Sequence, residues 1–372
     1  MRPLIATIDL EHLRHNYRLL KKAHGGRLLA VVKADAYGHG AVACAAALSE
    51  ADGFAVAYLD EARELRAAGI AQPIVLLEGV FEAAEYAECD RLQLSPVVQN
   101  ALQLRDFLAH TWHAPVTPWL KLDSGMRRAG FLPHELAAAH HALSTANHVR
   151  EVVKITHFAC ADEPSSEMTA RQLACFDQCC QALSGAESLA NSAAMLAHPA
   201  ARRDWGRGGI ALYGVSPFEN NTADLSPEAQ ALSGSLKAVM TLRTRVFGVR
   251  ELAAGESIGY GAIFRAPRAM RVGLIACGYA DGYPRVPSND NPVLIDGVPS
   301  RVIGRVSMDM MTVELPRAEH GIGSVVELWG ENISVAAIAR RSGTISYEVL
   351  CHLKRAHKDY RAAEQSLSNQ PQ

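Results

Sequence analysis

Hydrophobic and polar positions change their period midway along the chain. From residue 27, short apolar runs of strand length alternate with longer helical patterns: RLLAVVK precedes HGAVACAAALSE, GFAVAYL precedes DEARELRAAG, and PIVLLEG precedes VFEAAEYAE. LQLS then leads to VVQNALQLRDFLAH, PVTPWLKLD to PHELAAAHHALS, and REVVKITHFAC to SEMTARQLACFDQCCQALS. SLANSAA and a short helix come before a last strand-like run, GGIALYG. Strands this uniformly apolar belong to a parallel sheet covered on both faces. About eight such units in the first ~215 residues predict a (β/α)8 TIM-type barrel. The pattern alone leaves an open doubly wound sheet as an alternative.

After the loop SPFENNTADLSPEAQAL the runs become short, β-branched and punctuated by Gly, Asp and Pro: LKAVMTLRTRVFGVREL, AMRVGLIACGYAD, PVLIDG, PSRVIGRVSMDMMTVEL and SVVELWG. That is an antiparallel signature. Two domains are therefore expected: an α/β barrel over residues 1–230 and a mostly β domain over 231–372, with SLSNQPQ as a disordered tail.

At 372 residues, with 49% hydrophobic and 20% charged residues, the chain can bury a barrel-sized core and a smaller one. A net charge of −2 without blocks of like charge points away from nucleic acid and membrane surfaces. Asp9 and Glu11 interrupt any leader-like apolar region, and AVACAAAL (Ala41 to Leu48) is far shorter than the roughly 20 residues that span a bilayer. A soluble cytoplasmic protein is expected. The eight cysteines form no CxxC pair, and HTWH and AHHAL match no HExxH pattern, so reduced thiols and no metal site are expected.

Candidate chemistry gathers where strands end. Lys33 closes an apolar run in VVKADAYGHG, and a lysine there either snorkels to water or reacts. KLDSGMRRAG, THFA, NSAA and GRGGI also follow strand-like runs, at the barrel rim where active sites form. Cationic side chains among glycine turns suggest an anionic ligand held over a lysine. GRGGIA also fits the dinucleotide pattern G-x-G-x-x-A, but it precedes strand-like IALYG rather than joining a strand to a helix, so that reading is rejected.

In this order, VVKADAYGHG, KLDSGMRRAGF, THFA, NSAA, RGGIALYG, GYADGYPR and VSMDMM resemble bacterial alanine racemase, a family dependent on pyridoxal phosphate. The resemblance runs to SYEVLC and implies a barrel followed by a mostly β domain. It implies that Lys33 forms the Schiff base, and a desolvated lysine can lose its proton and attack an aldehyde. It implies that Tyr279 is a second base, although from sequence alone Tyr279 reads equally well as a structural turn residue. A tyrosine ordinarily ionises near pH 10 and needs nearby positive charge to act at neutral pH. The family link runs from Tyr279 through His157 and Arg207 to the pyridine nitrogen, where an arginine can donate but cannot leave the ring protonated. Tyr37, Ser192, Tyr347 and the amides of Gly209 and Ile210 would hold the phosphate.

Arg128, rather than the adjacent Arg127, takes the substrate-carboxylate position, and Lys121 matches a position that relatives can carbamylate. Met308 would hold the carboxylate through its N–H, with Asp309 positioning that loop; Ser307 stands where relatives often carry cysteine. The resemblance further implies a homodimer whose active sites are shared, alanine as substrate, and a role in peptidoglycan supply or alanine catabolism. A racemase of another small amino acid such as serine, or a decarboxylase on the same barrel, is the alternative.

Overall fold

The computed structural model describes residues 2–218, 222–285 and 290–361; the expected tail SLSNQPQ lies outside them. Two compact units form, one from His15–Leu236 and one from the chain up to Arg14 together with Lys237 onward.

Strand β1 (Ile5–Asp9) belongs to the second unit. The first unit contains β2 (Arg27–Val31), β3 (Gly53–Val56), β4 (Ile74–Leu76), β5 (Leu94–Val98), β6 (Trp119–Lys121), β7 (Val153–Ile155), β8 (Glu187–Ser188) and β9 (Trp205–Gly208). These strands pair in parallel from β2 to β8 in chain order, with β9 on the free side of β2. The ring closes where Ser188 Oγ donates to Trp205 O at 3.0 Å and Arg207 N–H to Ala190 O at 2.9 Å. All of β3 is buried, as are Leu28 to Val31, because helices cover the outer face and strand side chains fill the inside. Asn100, Ser166 and Asn191 begin three of the covering helices by accepting first-turn N–H groups on their side chains.

The second unit is a closed antiparallel sheet. It contains β10 (Met240–Leu252), β11 (Ser257–Ile258), β12 (Phe264–Arg265), β13 (Met270–Ile275), β14 (Pro292–Ile295), β15 (Val298–Ile303), β16 (Met311–Glu314), β17 (Val325–Trp329) and β18 (His357–Arg361). The order β13-β16-β15-β14-β17-β10 is closed by a β13–β10 pairing, and β11–β12 forms a separate hairpin. Burial alternates along β16, as one inward-facing side of a sheet requires.

The observed division departs from the expected one at the N-terminus. β1 pairs antiparallel with β10 and parallel with β18, and its Ala6 and Ile8 are buried there. A second departure concerns IALYG. The strand is the preceding WGRG, and Ile210–Tyr213 is a 3-10 turn whose residues are all buried. Gly206 suits the strand because an added Cβ would lie 2.7 Å from Met195 Sδ.

Candidate active site

Lys33, His157, Ser192 and Gly209 follow the C-terminal ends of barrel strands and Lys121 is the last residue of β6, on one rim. Lys33 opens a turn of unusual hand. Ala34, Asp35, Ala36 and Tyr37 have φ of 53°, 52°, 54° and 52°, a left-handed run of four non-glycine residues. At about 1–2 kcal/mol per residue, the run stores roughly 4–8 kcal/mol. Its own hydrogen bonds offset part of that, Ala36 N–H to Val32 O at 2.9 Å and Gly38 N–H to Ala34 O at 3.0 Å. The flanks supply more. Glu61 Oε1 accepts from Ala34 N–H at 2.6 Å, and Asp35 Oδ1 accepts from Ala41 N–H at 2.8 Å. Buried His39 donates through Nδ1 to Ala36 O and Tyr37 O, and its ring lies 4.5 Å from Tyr213. The turn thus fixes Lys33 at one end and Tyr37 at the other.

Tyr37 reaches Gly209. A Cβ on Gly209 would stand 2.9 Å from Tyr37 Oη and 3.7 Å from Ser192 Oγ, so glycine keeps this cradle open. Ser192 Oγ accepts from Gly209 N–H at 2.9 Å and Ala211 N–H at 3.3 Å. Both lone pairs being engaged, its own proton points elsewhere, available to an anion. The Gly209 amide, expected from sequence to meet the phosphate directly, is here hydrogen-bonded to Ser192. Ile210 opens the 3-10 turn, where first-turn amides have no intrahelical acceptor. Two hydroxyls and the Ile210 amide beside a glycine fit a phosphate.

Arg207 is buried and rigidly held. Nη1 donates to Ser188 O and Oγ, and Nη2 to Thr156 O and Leu189 O, at 2.7–3.1 Å. Nη2 also lies 3.3 Å from His157 Nδ1, and no hydrogen bond among the described residues uses Nε. Burial draws its pKa down to about 10, which still leaves it charged at neutral pH. His157 is held well below its ordinary pKa by burial first, then by Arg207, Arg128, Lys121 and Lys33. It is therefore neutral, and with Nδ1 accepting from Arg207 its proton resides on Nε2. A donor-only guanidinium with Nε unspent suits a heteroaromatic ring nitrogen. Together with Lys33 and the cradle, the donor set fits pyridoxal phosphate.

Lys121 is buried, its Nζ 3.4 Å from Gln99 Oε1. Burial lowers its pKa to about 8, with repulsion from Arg128, Arg207 and Lys33 working against attraction by Glu78. Arg128 is exposed beside it; Arg127, also exposed, takes a left-handed φ of 58° and donates its N–H to Asp123.

The remaining expected residues lie in the β unit. Tyr279 and Met308 are 38% and 54% exposed, on two loops stitched by Tyr279 N–H to Ser307 O and Ala280 N–H to Met308 O, both 3.0 Å. Any Cβ on Gly278 would collide with Met308 O, so this glycine permits the stitching. The Arg285 guanidinium sits 5.7 Å from the centre of the Tyr279 ring. Asp309 pairs with Arg355 Nη1 at 3.0 Å. Tyr347 is partly exposed on the helix Ser346–Cys351 of the same unit.

Sequence reasoning overlooked the group that fixes these loops. Asp281 is fully buried, paired through both oxygens with Arg2 and accepting Gly278 N–H at 2.9 Å. Arg355 bridges it to Asp309, with Nε 3.6 Å from Asp281 Oδ1. Asp281 lies inside GYADGYPR, so an acid within a glycine turn was the available signal. Glu61 carried none. Among the described residues no group of three His, Cys, Asp or Glu could hold a metal, and no helix is long and apolar enough to cross a membrane.

Comparison with known proteins yields one family. The model of the alanine racemase N-terminal domain matches residues 8–217, and that of the C-terminal domain residues 239–360. An alanine racemase of Neisseria meningitidis is 55% identical over 361 residues, 97% of this chain and 99% of that one. The biosynthetic alanine racemase of Pseudomonas aeruginosa superposes with a TM-score of 0.91 at 47% identity, covering 97% and 100% of the two chains. An alanine racemase from Bartonella henselae with covalently bound pyridoxal phosphate gives 0.86 at 29% identity, over 97% and 100%.

Proposed function

Because the chain belongs to the alanine racemase family, isomerases that interconvert L- and D-alanine, we propose that it does so with pyridoxal phosphate on Lys33 and a second base, Tyr279, lent by a partner copy. The observation that carries this reading is the single rim on which Lys33, the Tyr37–Ser192–Gly209 cradle and Arg207 stand together.

When bound, the cofactor supplies an electron sink for charge developing at the substrate Cα. Lys33 would anchor it covalently, and its amine would exchange a proton at the substrate Cα from one face. Tyr279 exchanges the proton on the other face. His157 donates from Nε2 to the phenolate oxygen, and Arg207 fixes the opposite ring nitrogen. Arg207 Nε, unspent among the described residues, would donate to the cofactor ring nitrogen, and a guanidinium that keeps its proton would restrain charge delocalisation and side reactions. The hydroxyls of Tyr37, Ser192 and Tyr347 and the amide of Ile210 would hold the phosphate. Arg128 takes the substrate carboxylate with the Met308 N–H, and Asp309 with Arg355 holds that loop.

Lys121 supports Arg128 as a carbamate. A pKa near 8 rather than the ordinary 10.5 raises the neutral, CO2-reactive amine at pH 7 by roughly 300-fold. Nζ adds to CO2 and loses a proton to solvent, leaving an anion that faces the guanidinium. Sharing of sites between two copies accounts for the exposure of Tyr279 and Met308, apolar groups that a lone chain would leave in water.

Two measurements test this. Purified protein should convert L-alanine to D-alanine only after cofactor is restored to stripped enzyme. Mixing inactive Lys33→Ala and Tyr279→Ala chains should recover activity, since one site of each hybrid is intact. No recovery from hybrids shown to form would refute the shared site.

A further inference from the structure

A cavity of about 480 Å³ opens at the opposite mouth of the barrel, where strands begin. Arg27, Trp119 and Trp205 are the first residues of β2, β6 and β9, and Arg150 and Trp112 line the cavity with them. The size is that of a small-molecule site.

Its lining has a definite chemistry. Trp119 and Trp205 are 2% and 8% exposed, their rings 5.8 Å apart at 57°, so they are fixed walls. The Arg27 guanidinium lies over the Trp205 ring, 4.2 Å from its centre. Stacking leaves the in-plane N–H fork of an arginine free for a planar acceptor. Neither the Arg27 nor the Arg150 side chain makes an ion pair or hydrogen bond among the described residues. The other charges at the cavity are committed: Arg66 donates to Ile70 O, Gln72 O, Leu92 O and Gln93 O. Asp90 accepts from His113, and Glu151 from Ala186 N–H. Two uncommitted guanidiniums beside flat indoles select a ligand that is both flat and anionic.

We propose that this cavity is a second binding site, for a planar aromatic carboxylate, its ring against the partly exposed Trp112, over the floor that Trp119 and Trp205 make, and its carboxylate on Arg27 and Arg150. No residue proposed for catalysis lines it, and binding there leaves the alanine site free.

Three of the four tryptophans of the chain line the cavity, while Trp329 is buried in the β unit, so indole emission reports the site. Holoenzyme is titrated with benzoate and 2-naphthoate, and with benzamide as the uncharged match. The expected result is a saturable emission change with both carboxylates, unaffected by saturating alanine. Benzamide and the Arg27→Met/Arg150→Met variant should bind at least roughly tenfold more weakly, the effect of losing charge-assisted hydrogen bonds. Should that variant not fold, added salt on the wild type gives the charge test, weakening benzoate and not benzamide. A change that never saturates, equal binding of benzamide, or displacement by alanine overturns the proposal.

Discussion

Glu61→Gln tests whether the left-handed turn after Lys33 is held from outside. Glu61 Oε1 accepts Ala34 N–H at 2.6 Å, and Oε2 accepts Ala57 N–H at 2.7 Å and Tyr58 N–H at 3.2 Å. Glutamine keeps one acceptor and turns the other into a donor facing an N–H. Hydrogen bonds to a charged group contribute about 1.5–3 kcal/mol each, less where water competes, as it does at Ala34. Losing the bond to Ala34 and weakening the other two costs ~2 kcal/mol, against a turn strained by roughly 4–8 kcal/mol. A turn that relaxes in the free protein must re-form when cofactor binds, and that cost appears in the apparent affinity. Affinity should therefore fall by about 30-fold, at 1.4 kcal/mol per decade. Stripped wild type and variant are titrated with pyridoxal phosphate by absorbance, with urea unfolding as a check on folding. A folded Glu61→Gln protein whose affinity stays within about twofold of wild type would refute the reasoning.

Other perturbations have distinct signatures. Gly209→Ala puts a methyl 2.9 Å from Tyr37 Oη and should lower cofactor affinity at least roughly tenfold by absorbance titration, with little loss of fold. Lys121 titrates near 8 when folded and near 10.5 when unfolded, so between those values the unfolded chain holds more protons and stability rises with pH. In bicarbonate-free buffer at pH 7, Lys121→Met should be more stable by up to ~3 kcal/mol in urea, an advantage that fades as pH rises through that window. With 13C-bicarbonate the wild type should show a carbamate resonance that Lys121→Met lacks. Arg355→Met removes the exposed pair with Asp309 and the 3.6 Å contact to buried Asp281, which keeps Arg2, and should cost about 1 kcal/mol of stability. It should nonetheless enlarge the Cα-deuterium isotope effect more in the direction whose proton Tyr279 removes than in the reverse.

The barrel was legible because its strands are continuous apolar runs, which the parallel sheet demands. That same rule misassigned Ile210–Tyr213, since four buried apolar residues look alike in a strand or a 3-10 turn. WGRG hid as a strand because its glycines lower β propensity, while close packing by Met195 and His24 requires Gly206. β1 could not be assigned from local pattern, because its partners β10 and β18 lie more than two hundred residues away. The placement of Lys33, Arg207, Ser192 and Gly209 near strand ends was legible because their motifs follow or close strand-like runs. Glu61, Asp281 and Arg355 act on backbone or on other charges across the fold, which no local spacing records.

Borohydride reduction of the holoprotein, followed by peptide mass spectrometry, bears most directly on the central claim that one lysine anchors the cofactor. A reduced pyridoxyl group is expected on the peptide carrying Lys33 and on no other lysine. Its appearance elsewhere, or its absence from folded protein with cofactor bound, would contradict that claim.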